Sequence, residues 1–206
     1  MFDLPQLTWN NNKEEIVLRL HQGEDINQQD IFGQTALLRA CENNYTELVE
    51  ILLKNKKIKV NLQNKYGRSP FYNAGYYDSY ECVLIMVQDP RVDINLTDDY
   101  DGISPLMDAC YDGRTKTVKL LISFGRNIDI HKKSTKDNDY YGIKSGSTAL
   151  DMAKQRNRTD IVQLLEQYQN YPKETQKTNR NELNLKGNKI KYKNNMKKKK
   201  KKTVMK

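Results

Sequence analysis

The stretch GQTALLRACENNYTELVEILL, from Gly33 to Leu53, comes back three times in altered form. It reads GRSPFYNAGYYDSYECVLIMV from Gly67, GISPLMDACYDGRTKTVKLLI from Gly102 and GSTALDMAKQRNRTDIVQLLE from Gly146. Self-similarity at this period constrains the fold more than any bulk property does. Each copy is one small unit that buries its apolar face only against the next.

The unit reads as turn, short helix, turn, longer helix, loop. In DIFG, Gly33 supplies the positive φ that a tight finger needs. Thr35 follows as an N-cap, and the same place holds Ser69-Pro70, Ser104-Pro105 and Thr148. A cap oxygen followed by proline at the first helical position marks a helix start. Leu37, Ala40 and Cys41 put an apolar stripe on the short helix, and ENN at Glu42–Asn44 breaks it. Leu48, Val49, Ile51, Leu52 and Leu53 make the second helix more apolar. Ala40, Ala74, Ala109 and Ala153 recur at one position, where a small side chain lets neighbouring helices approach closely. The unit ends at Val60-Asn61, at Asp93–Asn95 and at Asn127–Asp129.

These residues resemble the ankyrin repeat family, whose pattern Gly-x-Thr-Pro-Leu-His-x-Ala, Leu-rich helix and Asp-Val-Asn-like loop lies over most of residues 7–168. The resemblance implies an all-α solenoid of helix-turn-helix units. Five are expected, at about 1–29, 30–63, 64–98, 99–138 and 139–168, within an array 1–168. The first is atypical: NKEEIVLRLHQGEDIN matches a second helix and closing loop, with no glycine turn before it. The family's histidine is replaced by Leu38, Tyr72, Met107 and Asp151, which puts the rigidity of the fingers in question. Gly75 stands where alanine is usual. It should cost its helix about 1 kcal/mol and make the third unit the softest. The step from Gly102 to Gly146 is about ten residues too long, and the excess lies in the polar stretch 131–145. That stretch reads as a tolerated surface insertion, with an extended finger reaching a partner as the alternative.

Chemistry is hard to place in this chain. Its two histidines, His21 and His131, have no metal-ligand spacing around them. The glycines are turn glycines at repeat spacing, not a phosphate loop. No enzyme and no cofactor is expected. The three cysteines form no Cys-x-x-Cys pair and read as reduced, buried thiols of an intracellular protein. The start, MFDLPQLTWNNN, has no signal-peptide pattern, and no apolar run suits a membrane helix. A cytoplasmic or nuclear monomer is expected.

Arrays of the family bind other proteins through finger tips and the exposed side of the first helices. Carried onto this chain, those positions hold Tyr66, Arg68, Tyr76, Tyr77, Tyr100, Asp101, Tyr111 and Asp112, with Tyr72 and Asp108 nearby. Tyrosine offers large contact area and a polar tip at low entropy cost, so the expectation is a tyrosine-rich patch that grips a partner protein. The competing explanation is compositional, since the chain is rich in Asn, Lys and Tyr. Tyr72→Ala and Tyr77→Ala should weaken binding without unfolding the array.

Charge divides the chain. Residues 172–206 hold 14 Lys/Arg against 2 Asp/Glu, a balance of +12, while the remainder is mildly acidic. The region 169–206 reads as a disordered, basic tail. Its run Lys197, Lys198, Lys199, Lys200, Lys201 and Lys202 suits an import receptor, nucleic-acid phosphates or anionic lipid, or else touches nothing.

Overall fold

The computed structural model describes residues 3–124 and 127–170. Ten α-helices lie among them: α1 (Leu4–Trp9), α2 (Lys13–His21), α3 (Ala36–Glu42), α4 (Thr46–Lys54), α5 (Pro70–Tyr76), α6 (Tyr80–Met86), α7 (Pro105–Asp112), α8 (Thr115–Phe124), α9 (Ala149–Gln155) and α10 (Thr159–Asn170). Consecutive helices form pairs. The first helices α1, α3, α5, α7 and α9 stack in one layer, and α4, α6, α8 and α10 stack in the other. No strand occurs among the described residues; an isolated antiparallel bridge joins Asn138 and Ile143. No described helix is long and apolar enough to cross a membrane.

Local chemistry sets the helix ends. The side-chain oxygens of Thr35, Ser69, Ser104 and Thr148 accept from the backbone N–H of Leu38, Tyr72, Met107 and Asp151, which satisfies one orphan donor in each first helix. Inside each pair the chain reverses through a left-handed residue: Asn11, Asn44, Asp78, Gly113 and Asn157, with φ between 50° and 79°. Asn, Asp and Gly are the residues that tolerate this region.

The core is one continuous cluster running through all five pairs. Ala40, Ala74, Ala109 and Ala153 are fully buried where first helices meet. Leu52, Phe71, Leu106, Leu121 and Ile161 fill the space between the layers. Each such side chain contributes about 1.5–3 kcal/mol through burial. Cys41, Cys82 and Cys110 are free and buried in the same cluster. Burial pushes the Cys41 and Cys110 thiols well above their ordinary range.

The fingers are held without the missing histidine. Asp30 Oδ1 accepts from the N–H groups of Phe32 and Gln34, and Asn64 Oδ1 from Tyr66 and Arg68. Asp98 Oδ1 does the same for Asp101 and Ile103. Backbone bonds then link neighbouring fingers, Lys65 N to Phe32 O at 3.1 Å and Asp99 N to Tyr66 O at 3.2 Å. Gln63 bridges two fingers, donating to Gly67 O and Thr97 O. A Cβ on Gly67 would sit 2.4 Å from the Asp99 backbone N, so glycine permits both the φ of +70° and the close approach. On the opposite edge Asn27, Asn61 and Asn95 form a ladder, each bonding backbone N–H and C=O groups of the next unit.

Gly75 lies inside α5, and a Cβ there would meet only Pro105, at 3.9 Å, so its cost to the helix stays an expectation. One sequence expectation changes here. The expected boundary at 138/139 falls inside a single finger. Ser134 N bonds Ser147 O at 2.9 Å, the same closure that joins Asp30 to Gln34, Asn64 to Arg68 and Asp98 to Ile103. The inserted residues therefore lengthen the last finger. The Lys-rich tail, with Lys197–Lys202, lies outside the described residues.

A candidate protein-binding cleft

The finger closures place residues 64–68, 98–103 and 134–147 side by side, next to the exposed ends of α5 and α7. Between them lies a cleft of about 410 Å³. Nine of the ten residues expected to bind a partner line it: Tyr66, Arg68, Tyr72, Tyr76, Tyr100, Asp101, Asp108, Tyr111 and Asp112. Tyr77 does not. Its ring meets Tyr76 edge-on at 5.1 Å and it faces solvent outside the cleft.

Their roles in the wall differ. Tyr66 and Tyr100 stand at finger tips, 55% and 68% exposed. Tyr72 is only 2% exposed, and its hydroxyl reaches Asp98 Oδ2 at 3.4 Å. Asp101 is 5% exposed, and its Oδ2 accepts from Asn138 Nδ2 at 2.6 Å. These two form the floor of the cleft, below its exposed rim. The expectation that Tyr72→Ala would spare the fold is therefore corrected: the change would empty a packed site.

The inserted finger supplies the far wall. Asn138, Tyr140, Tyr141 and Ile143 all line the cleft, and sequence reasoning missed them. The signal was present, because a Tyr-Tyr pair inside an otherwise polar insertion needs a reason. The finger is pinned rather than loose. Tyr111 Oη donates to Tyr141 O at 2.9 Å, Gln155 Nε2 donates to Gly142 O at 2.8 Å, and the two arms of the finger pair at Asn138 and Ile143. Asp98 was also missed; its match to Asp30 at the start of a finger was the available clue.

Electrostatically the cleft joins tyrosine rings to carboxylates. Arg68 lies over the rings of Tyr76 and Tyr72, at 4.2 and 5.4 Å from their centroids. Burial opposes its charge, but Tyr72, Tyr76 and Asp98 outweigh that and raise its pKa. Asp108 is held by Arg114 at 2.6 Å, and Arg114 also pairs with Asp112 and donates to Tyr76 O. Burial still pushes the Asp108 carboxyl up to about 6, with Asp112 adding to the rise. Burial likewise raises Asp101, against the Asn138 hydrogen bond. No cluster of metal-binding side chains occurs among the described residues.

A solenoid of capped helix pairs, with fingers tied backbone to backbone, defines a class of repeat protein that presents a surface rather than a reaction centre. A family profile described as ankyrin repeats (3 copies) matches residues 6–98 and 90–177. The chain belongs to the ankyrin repeat family. It is 30% identical over 148 residues to an ankyrin repeat protein of Rickettsia bellii (strain RML369-C), covering 70% of this chain and 44% of that one. A second such protein of the same organism is 37% identical over 54 residues, 26% of this chain and 56% of the relative. The chain thus spans about half the length of these relatives. Ankyrin repeats are a general protein–protein interaction module, and the family's fold is non-catalytic.

Proposed function

We propose that the array 1–168 is a non-catalytic binding module, an adaptor, scaffold or stoichiometric inhibitor, that grips a partner protein with its finger tips and the tyrosine-lined cleft. The observation that supports this is convergence. Residues chosen for their place in the repeat, from two units, meet in one cleft that the inserted finger completes with two more tyrosines. Exposed Tyr66, Tyr100 and Tyr140 give it a rim of large amphipathic side chains, the kind that concentrate binding energy. Affinity capture from the source cell tests the reading. Tyr66→Ala/Tyr100→Ala should lose the partner while keeping the helical circular dichroism signal; equal capture would refute it.

The charge division of the chain supports a second reading. In it the basic tail binds nucleic-acid phosphates or an import receptor while the repeats recruit. Ionic strength separates the two. Tail-driven capture falls steeply between low and high salt, whereas cleft-driven capture changes little.

A further inference from the structure

Following one pair of positions through the repeats shows how the cleft differs from the rest of the array. The first residue of each finger and the residue four beyond the N-cap of the helix that follows are equivalent positions in each unit. In the second unit these are Asp30 and Arg39, which form an ion pair at 3.0 Å. In the third they are Asn64 and Asn73, both uncharged, and in the fifth Ser134 and Met152. In the fourth unit, at the cleft, they are Asp98 and Asp108. Where the second unit supplies its own arginine, the fourth supplies a second carboxylate.

The surroundings do not neutralise this pair in full. Arg114 takes Asp108 and Asp112. Asp98 and Asp101 form no direct ion pair among the described residues; Arg68, the one cation that lines the cleft, acts on both at longer range, so two carboxylates share one guanidinium. The walls around these carboxylates are aromatic. The protein itself shows that such rings take a guanidinium: Arg68 rests on Tyr72 and Tyr76, and Arg156 on Tyr111 at 4.8 Å. Tyr66 and Tyr100, at the rim, carry neither a ring nor a guanidinium partner among the described residues.

We propose that the cleft takes an arginine side chain of the partner protein, its plane against the Tyr66 and Tyr100 rings and its charge toward Asp98 and Asp101. This rests on the interaction reading above and names the chemistry the site selects. A planar fork with five donors suits two carboxylates and flat rings better than a compact ammonium does.

The test titrates full-length protein with N-acetyl-arginine methylamide, following tyrosine ring and backbone resonances by NMR. The same titration is run with the lysine and citrulline analogues. Asp98→Asn is the matching variant, because Asn64 shows that asparagine still closes a finger through its Oδ1. The arginine compound should shift cleft resonances saturably and bind about tenfold tighter than the citrulline one, and the variant should lose about as much. Equal binding of arginine and lysine overturns the assignment to arginine. Shifts that citrulline reproduces, or that the variant leaves unchanged, overturn the cation site altogether. If Tyr66→Ala/Tyr100→Ala still abolishes partner capture while the arginine compound leaves the cleft untouched, the interaction reading survives and this inference falls.

Discussion

The fingers at 64–68 and 134–147 close with the same backbone pairing and tie to the preceding finger alike, Lys65 N to Phe32 O and Thr135 N to Asp101 O, yet what holds the rest of each differs. The short one is fixed by packing: Gly67 lies against the next finger, and Gln63 and Asn64 spend their polar groups on its closure. The long one is fixed by hydrogen bonds from outside, through Tyr111, Gln155 and Asp101. Closure is thus a backbone property that a finger keeps at any length. What fills the finger is free to vary, and here it varies into the wall of a cleft.

The sharpest way to break this comparison is to remove the floor that both fingers share. Tyr72→Ala should destabilise the protein by about 3–5 kcal/mol, as expected of a buried aromatic, whereas Tyr77→Ala should stay within about 0.5 kcal/mol. Urea unfolding of the two variants measures both. Next come the glycines. Gly67→Ala meets backbone at 2.4 Å and should cost about 2–4 kcal/mol. Gly142→Ala meets only the flexible end of Gln155 at 2.9 Å and should cost about 1 kcal/mol. Similar losses at the two glycines would mean the long finger is packed as tightly as the short one.

Asp108 gives a pH signature. Its folded pKa of about 6 lies above the ordinary aspartate value, so the folded state holds the proton more tightly. The stability this contributes is full below about pH 4 and is lost as pH rises through about 6. Relative to Asp108→Asn, the wild type should lose about 2 kcal/mol of unfolding free energy between those limits. A flat difference would show that Arg114 keeps the carboxylate charged throughout. The smallest effect is expected at Gly75→Ala, where a methyl fits 3.9 Å from Pro105. There the helix should gain about 0.5–1 kcal/mol. A loss would mean the third pair has no room for it.

Much of this was legible beforehand. The caps at Thr35, Ser69, Ser104 and Thr148 and the small residues at Ala40, Ala74, Ala109 and Ala153 repeat in register, and repetition turns weak local signals into a firm one. The tyrosines of the cleft followed from their places in the unit. The inserted finger did not, because its pairing depends on partners about ten residues apart inside a polar stretch with no periodicity. Burial was equally hidden. Tyr72 and Tyr77 look alike in the sequence, yet one is a floor and the other an outer surface, because Tyr72 lies inside helix α5 and Tyr77 caps its C-terminal end. The ties that replace the missing histidine were written at Asp30, Asn64, Asp98 and Gln63, residues that pass for ordinary turn polarity until their acceptors are known.

The most direct test of the cleft as the gripping surface is site-specific photo-crosslinking. Benzoylphenylalanine would be placed at Tyr100 in one protein and at Tyr77 in another, each irradiated with the captured partner. The account predicts a covalent adduct from Tyr100, at the rim, and none from Tyr77, outside it. An adduct from Tyr77 with none from Tyr100 would place the partner on another face and contradict the account.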